Sequence, residues 1–262
     1  MKKAYLVTIL FIIFAFLSNV PLSSAQVVGQ AVILPNHTGY LDLTTIPITY
    51  HVVGEVINIG TVSLTLLNIT ATFYDQNNAT IGLCSSYVLL NVLLPGRKAP
   101  FEVVWNDIKA DQTYNYSLSL RFREYISEKP LAIQLLENTT YIDEAGFQKI
   151  NGTIKNLASQ NATYVKVIAT FYNVDGKVMG VAYTYTMPST IMPNQTAPFE
   201  LELKRKGLFF PNYSLTAESS EYSLIPELSA LHLYSLLLIS LLITLTVHRK
   251  RTKLKLHNIP KI

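Results

Sequence analysis

From about residue 30 to residue 223 the chain alternates apolar and polar side chains with a period of two. In LLNITATFYD, Leu67, Ile69, Ala71 and Phe73 fall on one face and Asn68, Thr70, Thr72 and Tyr74 on the other. YVKVIATFYN repeats the arrangement, with Val165, Val167, Ala169 and Phe171 alternating with Lys166, Ile168, Thr170 and Tyr172. Alternation rich in β-branched and aromatic residues predicts half-buried antiparallel strands. Ala and Phe of each ATFY segment are expected to face a core, and Thr and Tyr to face outward. Strands are predicted near residues 30–34, 50–59, 64–74, 79–84, 86–93, 99–105 and 113–123.

The two ATFY segments, Ala71–Tyr74 and Ala169–Tyr172, stand 98 residues apart, and the same shift aligns much more. Gly54 meets Gly152, Asn58 meets Asn156, Gly82 meets Gly180, Pro95 meets Pro193, and APFE at Ala99–Glu102 meets APFE at Ala197–Glu200. Small adjustments extend the match to TGYLD and TTYID upstream and to the two NYSL segments downstream. The chain is therefore a tandem duplication with units at 26–124 and 125–223, each long enough to enclose a core. Turn chemistry follows each ATFY: DQNNAT in the first copy and NVDGKV in the second, both suited to a tight reversal. About seven strands per unit, with turns every 8–12 residues, predict an all-β fold of two tandem immunoglobulin-like β-sandwich domains.

The ends have a different pattern. Residues 1–25 combine Lys2 and Lys3, an apolar run and small residues at Ser23 and Ala25, as a secretory signal peptide does. Residues 228–247 form an apolar stretch long enough for a transmembrane helix. The tail at 248–262 carries Arg249, Lys250, Arg251, Lys253 and Lys255, which the positive-inside bias holds in the cytoplasm. The expected topology is single-pass type I in the cell membrane, with the ectodomain outside.

These ends account for the pI of about 9.0. Lys2 and Lys3 leave with the signal and six cations lie in the tail. That leaves 13 of the 21 cations against all 17 acids, a net of −4. A mildly acidic ectodomain disfavours nucleic acid as a partner. Nine N-x-S/T sequons, at Asn36, Asn68, Asn78, Asn115, Asn138, Asn151, Asn161, Asn194 and Asn212, mark candidate glycosylation sites. Turn sequons, among which Asn78, Asn138 and Asn194 are counted, should be more accessible than Asn151. Cys84 is the single cysteine, so no disulfide frame supports the domains.

The order G-x-V/I-x-N, an alternating strand ending F-Y-D/N, and P-G/N before A-P-F-E resembles the FxLYD family of small β-sandwich modules in exported bacterial and archaeal proteins. The resemblance covers Tyr40–Ser117 and Tyr141–Ser214, and the second copy departs at Asn173 and Asn194. It implies a sandwich fold in a membrane-anchored exported protein of archaeal type, and it brings no catalytic residue. His37 and His51 lie in the ectodomain without a zinc motif, no nucleophile elbow is present, and Asp143–Glu144 and Asp107–Asp111 read as turn acids. No catalytic, metal or cofactor site is expected. The sequence points to a non-catalytic envelope protein with a structural, adhesive or protein-interaction role, similar to archaeal surface-layer anchoring proteins. The alternative is an accessory subunit of a membrane transport or secretion complex. Either way its partners are the membrane and a protein of the envelope or membrane.

Overall fold

A computed structural model describes residues 28–127 and 129–226. The expected signal peptide, transmembrane helix and basic tail lie outside the described residues. Among the described residues no helix is long and apolar enough to cross a membrane.

The first unit contains β1 (Ala31–Ile33), β2 (Thr38–Asp42), β3 (Thr49–Asn58), β4 (Ser63–Tyr74), β5 (Thr80–Tyr87), β6 (Val92–Leu93), β7 (Lys98–Trp105) and β8 (Asn115–Tyr125). One sheet sets β1, β2 and β7 against β3, and the other sets β5, β6 and β8 against β4. The second unit contains β9 (Leu131–Ile142), β10 (Gln148–Asn156), β11 (Lys166–Tyr172), β12 (Val178–Tyr185), β13 (Thr196–Leu203), β14 (Asn212–Glu218) and β15 (Ser223–Leu224). Its strands run in the order β12-β11-β14-β15-β9-β10-β13, so the short β15 joins the two faces. The all-β sandwich expectation holds. The strand expected near 86–93 shrinks to β6 plus an irregular approach, and β2 was not anticipated.

The duplication extends to the register. Gly54 lies opposite Phe101 and Gly152 opposite Phe199; Phe73 lies opposite Gly82 and Phe171 opposite Gly180. A Cβ on Gly54 would stand 2.6 Å from the Phe101 ring, and one on Gly152 2.5 Å from the Phe199 ring. Each glycine thus leaves the space that its cross-strand phenylalanine occupies on the way into the core. The proline of each APFE segment guards an edge. Pro100 and Pro198 bring no N–H to the ladder, and their carbonyls accept from Leu89 N at 2.8 Å and Met187 N at 2.9 Å.

Loops repeat as faithfully as strands. The Asn58 amide donates to the carbonyls of Val62 and Leu93 at 2.8 and 2.9 Å and accepts from Gly60 N at 2.9 Å. Asn156 does the same with Gln160, Ile191 and Ala158 at 2.8, 2.9 and 2.9 Å. Asp75 and Asn173 each accept two backbone N–H bonds through the side-chain oxygen, so the second copy's departure keeps the turn. Asn194 (φ 60°) takes the left-handed position that Gly96 (φ 71°) fills in the first copy. Leu66 and Tyr164, both at φ 51°, push out of strand register and stand 50% and 69% exposed.

Each unit has its own core. The first gathers around Phe73, Phe101 and Trp105, with the Phe73 and Trp105 rings stacked at 4.4 Å; the second gathers around Phe171, Phe199 and Ile154. Ala71, Phe73, Ala169 and Phe171 are fully buried, as the alternation predicted. The outward face of β11 departs from expectation. Ile168 is fully buried within the first unit's core cluster, and Thr170 is 3% exposed. The outer face of one copy has become an interface with the other.

Candidate functional site

The two copies meet along β3, β7, β11 and β12 and along the linker between β8 and β9. Val53, Val178 and Val181 form a small apolar centre flanked by Tyr40, Leu89 and Tyr172. Two carboxylates are buried around it. Glu55, exposed by 2%, accepts from the Tyr172 hydroxyl at 2.7 Å and the Asn36 amide at 2.8 Å, with Lys98 at 3.6 Å. Glu218, exposed by 1%, receives Lys129 Nζ at 2.6 Å, Asn91 N at 2.7 Å and Lys166 Nζ at 3.4 Å. Arg97 donates to the Leu224 carbonyl at 2.8 Å, and Thr38 to the Val178 carbonyl. A buried charge is costly unless paired and hydrogen-bonded, and both acids take partners from the other copy or the linker. Tyr172 therefore does not face solvent; burial, then its bond to Glu55, pushes the phenol above its ordinary range.

Two clefts flank this junction. The first, about 610 Å³, is lined by Glu55, Arg97, Asn138, Tyr172 and Tyr213. The second, about 620 Å³, holds Tyr40, Asp42, His51, Glu102 and Arg205. There His51 Nδ1 lies 2.8 Å from Glu102 and its Nε2 lies 2.9 Å from the Thr49 hydroxyl. The Tyr40 ring stacks on His51 at 5.0 Å, and the Arg205 guanidinium sits 3.9 Å over its centre. Burial, then the Glu102 charge, raises the Tyr40 phenol. A hydrogen bond from Thr44 holds the Asp42 carboxyl below its usual range.

Hydroxyl, imidazole and carboxylate in this order resemble the chain of a nucleophilic triad. The resemblance ends at the hydroxyl. Thr49 is 6% exposed, it shares its oxygen with Thr45 at 3.0 Å, and it does not line the cleft. The arrangement fixes the imidazole and anchors Tyr40 beneath Arg205 of the other copy. Sequence reasoning saw His51 as isolated. No local signal joins the three: Tyr40 lies in a strand too short to show a period, and His51 and Glu102 stand 51 residues apart.

The remaining candidates fall into place singly. His37 Nδ1 lies 2.8 Å from the Tyr116 hydroxyl, and burial, then the Lys177 charge, lowers its pKa. The Tyr116 phenol is pushed up to about 12 by burial, then by Tyr50. Cys84 is free and half-buried on β5, donating to the Val104 carbonyl at 3.3 Å. Asp107 and Asp143 bond turn amides at 2.9 and 2.8 Å, as turn acids do. Among the described residues no group of three or more His, Cys, Asp or Glu is placed to hold a metal.

The sequons divide by accessibility. Asn78, Asn115, Asn161, Asn194 and Asn212 are exposed, and each lies in a turn, in a loop or at the first residue of a strand. Asn36, Asn68, Asn138 and Asn151 are half-buried. Asn36 is tied to Glu55, and Asn151 lies in the middle strand β10 with its side-chain oxygen buried. Asn138 corrects the expectation of a turn. It sits within β9 opposite Gly152, where its oxygen accepts from Tyr213 at 2.6 Å.

No protein-family model matches the chain, and no curated protein matches it. Solved structures match only distantly. An exo-chitosanase of Amycolatopsis orientalis matches at TM-score 0.25 and 11% identity, over 72% of this chain and 26% of that one. A glycoside hydrolase family 2 β-glucuronidase matches at 0.25 and 10%, over 67% and 23%. Red sea bream transglutaminase matches at 0.24 and 8%, over 75% and 32%. The chain thus spans a third or less of these enzymes' lengths, and likeness at this level carries no argument about activity.

Proposed function

We propose that this chain is a non-catalytic envelope protein. In this reading two FxLYD-like sandwiches, exported by residues 1–25 and tethered by 228–247, serve as a surface module that engages other proteins. The observation that carries it is the pairing of a sealed junction with exposed turns and strand ends that carry sequons. Buried charges, paired tyrosines and valines are spent between the copies, while five sequons stand exposed at the ends of strands. A rigid body with polar, modifiable ends suits a molecule that spaces and presents surfaces. The imidazole–carboxylate pair of His51 and Glu102 in the second cleft is occupied in holding Tyr40 and Thr49.

Membrane-impermeant biotinylation of intact cells tests the reading, with mass spectrometry of the recovered peptides. Lysines of the ectodomain, such as Lys109 and Lys204, should be labelled, and those of the tail should not. Glycans should appear at Asn78, Asn161 and Asn194. Labelling confined to the tail, or unmodified asparagine at all three sites, would sink it.

A further inference from the structure

The two copies differ at one corner, in what covers the last long strand of each sandwich. In the second unit the chain leaving β14 reverses, with Ser219 N donating to the Tyr222 carbonyl at 2.8 Å, and returns as β15. That strand pairs antiparallel with β14 and parallel with β9, closing the seam between the sheets. Beside it, where β15 meets β14 at the single pair Glu218–Ser223, Ile133, Ala217 and Ser219 are exposed by 0%, 2% and 2%. In the first unit the chain leaving β8 continues into β9, and among the described residues no strand lies between β8 and β1.

By register, Ala31, Leu120 and Phe122 hold the places of Ile133, Ala217 and Ser219. All three are half-exposed, and the two on β8 are larger and more apolar than their counterparts. Among the described residues, contacts made by side chains of β8 pin the seam. Glu124 accepts from Gly29 N at 2.7 Å at one end, and His37 meets Tyr116 at the other. The edges of β7 and β13 are guarded by proline, but β8 contains none. On its outer face Arg121 and Arg123 are exposed, and neither forms an ion pair among the described residues.

We propose that the free edge of β8 docks an extended strand of a partner protein whose side chains alternate between apolar and acidic. A free edge offers unpaired N–H and C=O groups to an incoming strand, while alternate side chains set the specificity. Apolar side chains on one face cover Leu118, Leu120 and Phe122, as β15 flanks Ala217 and Ser219. Acidic side chains on the other face lie beside Arg121 and Arg123. A second β8 cannot supply them. Its outer face carries Ser117, Ser119, Arg121 and Arg123 with no acid, and pairing about Phe122 sets arginine against arginine.

The inference rests on the interaction role proposed above and adds where a partner docks. Surface labelling tests that role separately, so a labelled ectodomain with an unresponsive β8 refutes the docking strand alone. The test is hydrogen exchange of the full chain in detergent, with a synthetic octapeptide alternating valine and glutamate as probe. A second octapeptide has lysine in place of glutamate. Amides of residues 116–124 should exchange about tenfold more slowly with the glutamate peptide and at an unchanged rate with the lysine peptide. Arg121→Glu with Arg123→Glu, both on the surface, should abolish the protection. The proposal is overturned by no protection, by equal protection from both peptides, or by protection that survives the double substitution. Protection that grows with protein concentration alone would name a second copy as the occupant and overturn it equally.

Discussion

Tyr74 and Tyr172 occupy the same place in the repeat and have come to different uses. Each shares an exposed hydrogen bond of 3.0 Å with the matching serine, Ser117 or Ser214, but Tyr172 also donates to the buried Glu55 at 2.7 Å. Removing a hydroxyl that serves a buried carboxylate costs about 1–3 kcal/mol, and an exposed neutral bond contributes far less. Tyr172→Phe should therefore lower the urea midpoint clearly and Tyr74→Phe hardly at all, as denaturation of the two variants side by side will show. Phe171→Ala removes a fully buried ring and should cost about 3–5 kcal/mol. His37 makes a prediction in pH. Burial, then Lys177, holds its pKa in the fold below the ordinary 6.5. Between these two values the unfolded chain binds more protons than the folded one. The contribution of neutral His37 is thus whole above pH 6.5 and is lost as pH falls toward the lowered value. The gap in stability between wild type and His37→Gln should shrink on acidification; a gap that widens would contradict the shift.

Strands and turns account for what was legible in the chain. Alternation in LLNITATFYD and YVKVIATFYN marked the core faces of β4 and β11, and the 98-residue shift anticipated matched registers. Periodicity carries no sign of a bulge, so the left-handed Leu66 and Tyr164 were not foreseen, although both copies have them. β2 was missed because Gly39 and Tyr40 sit in a five-residue run too short to show a period. The junction left one trace, Ile168, an apolar residue on a face otherwise read as polar. Long-range pairs such as Glu55 with Tyr172, or His51 with Glu102, join residues far apart in the chain and leave no local pattern. The repeated glycines make a test at this scale. A Cβ on Gly152 would also stand 2.7 Å from the Glu137 carbonyl oxygen, which cannot easily move. Gly152→Ala should cost about 1–3 kcal/mol by overpacking, measured by thermal unfolding.

At the scale of the molecule, duplication supplied two sandwiches and the junction made them one body. Ile168 completes the core of the other copy, and Lys129 of the linker is buried against Glu218 with side-chain exposures of 3% and 2%. Glu218 still faces Lys166 Nζ at 3.4 Å and Asn91 N at 2.7 Å, so losing Lys129 costs less than the about 3–5 kcal/mol of a buried pair with no second partner. Val53→Asp, which sets a charge in the apolar centre between the copies, should weaken their coupling more than it disturbs either core. Residues 26–124 or 125–223 taken alone would expose Val53 on one side, or Ile168, Val178 and Val181 on the other, all now sealed. The most direct measurement is differential scanning calorimetry of residues 28–226. A single transition, with equal calorimetric and van't Hoff enthalpies, is the result expected of one body. Val53→Asp should split it in two. Two separate transitions in the unsubstituted protein would contradict the account.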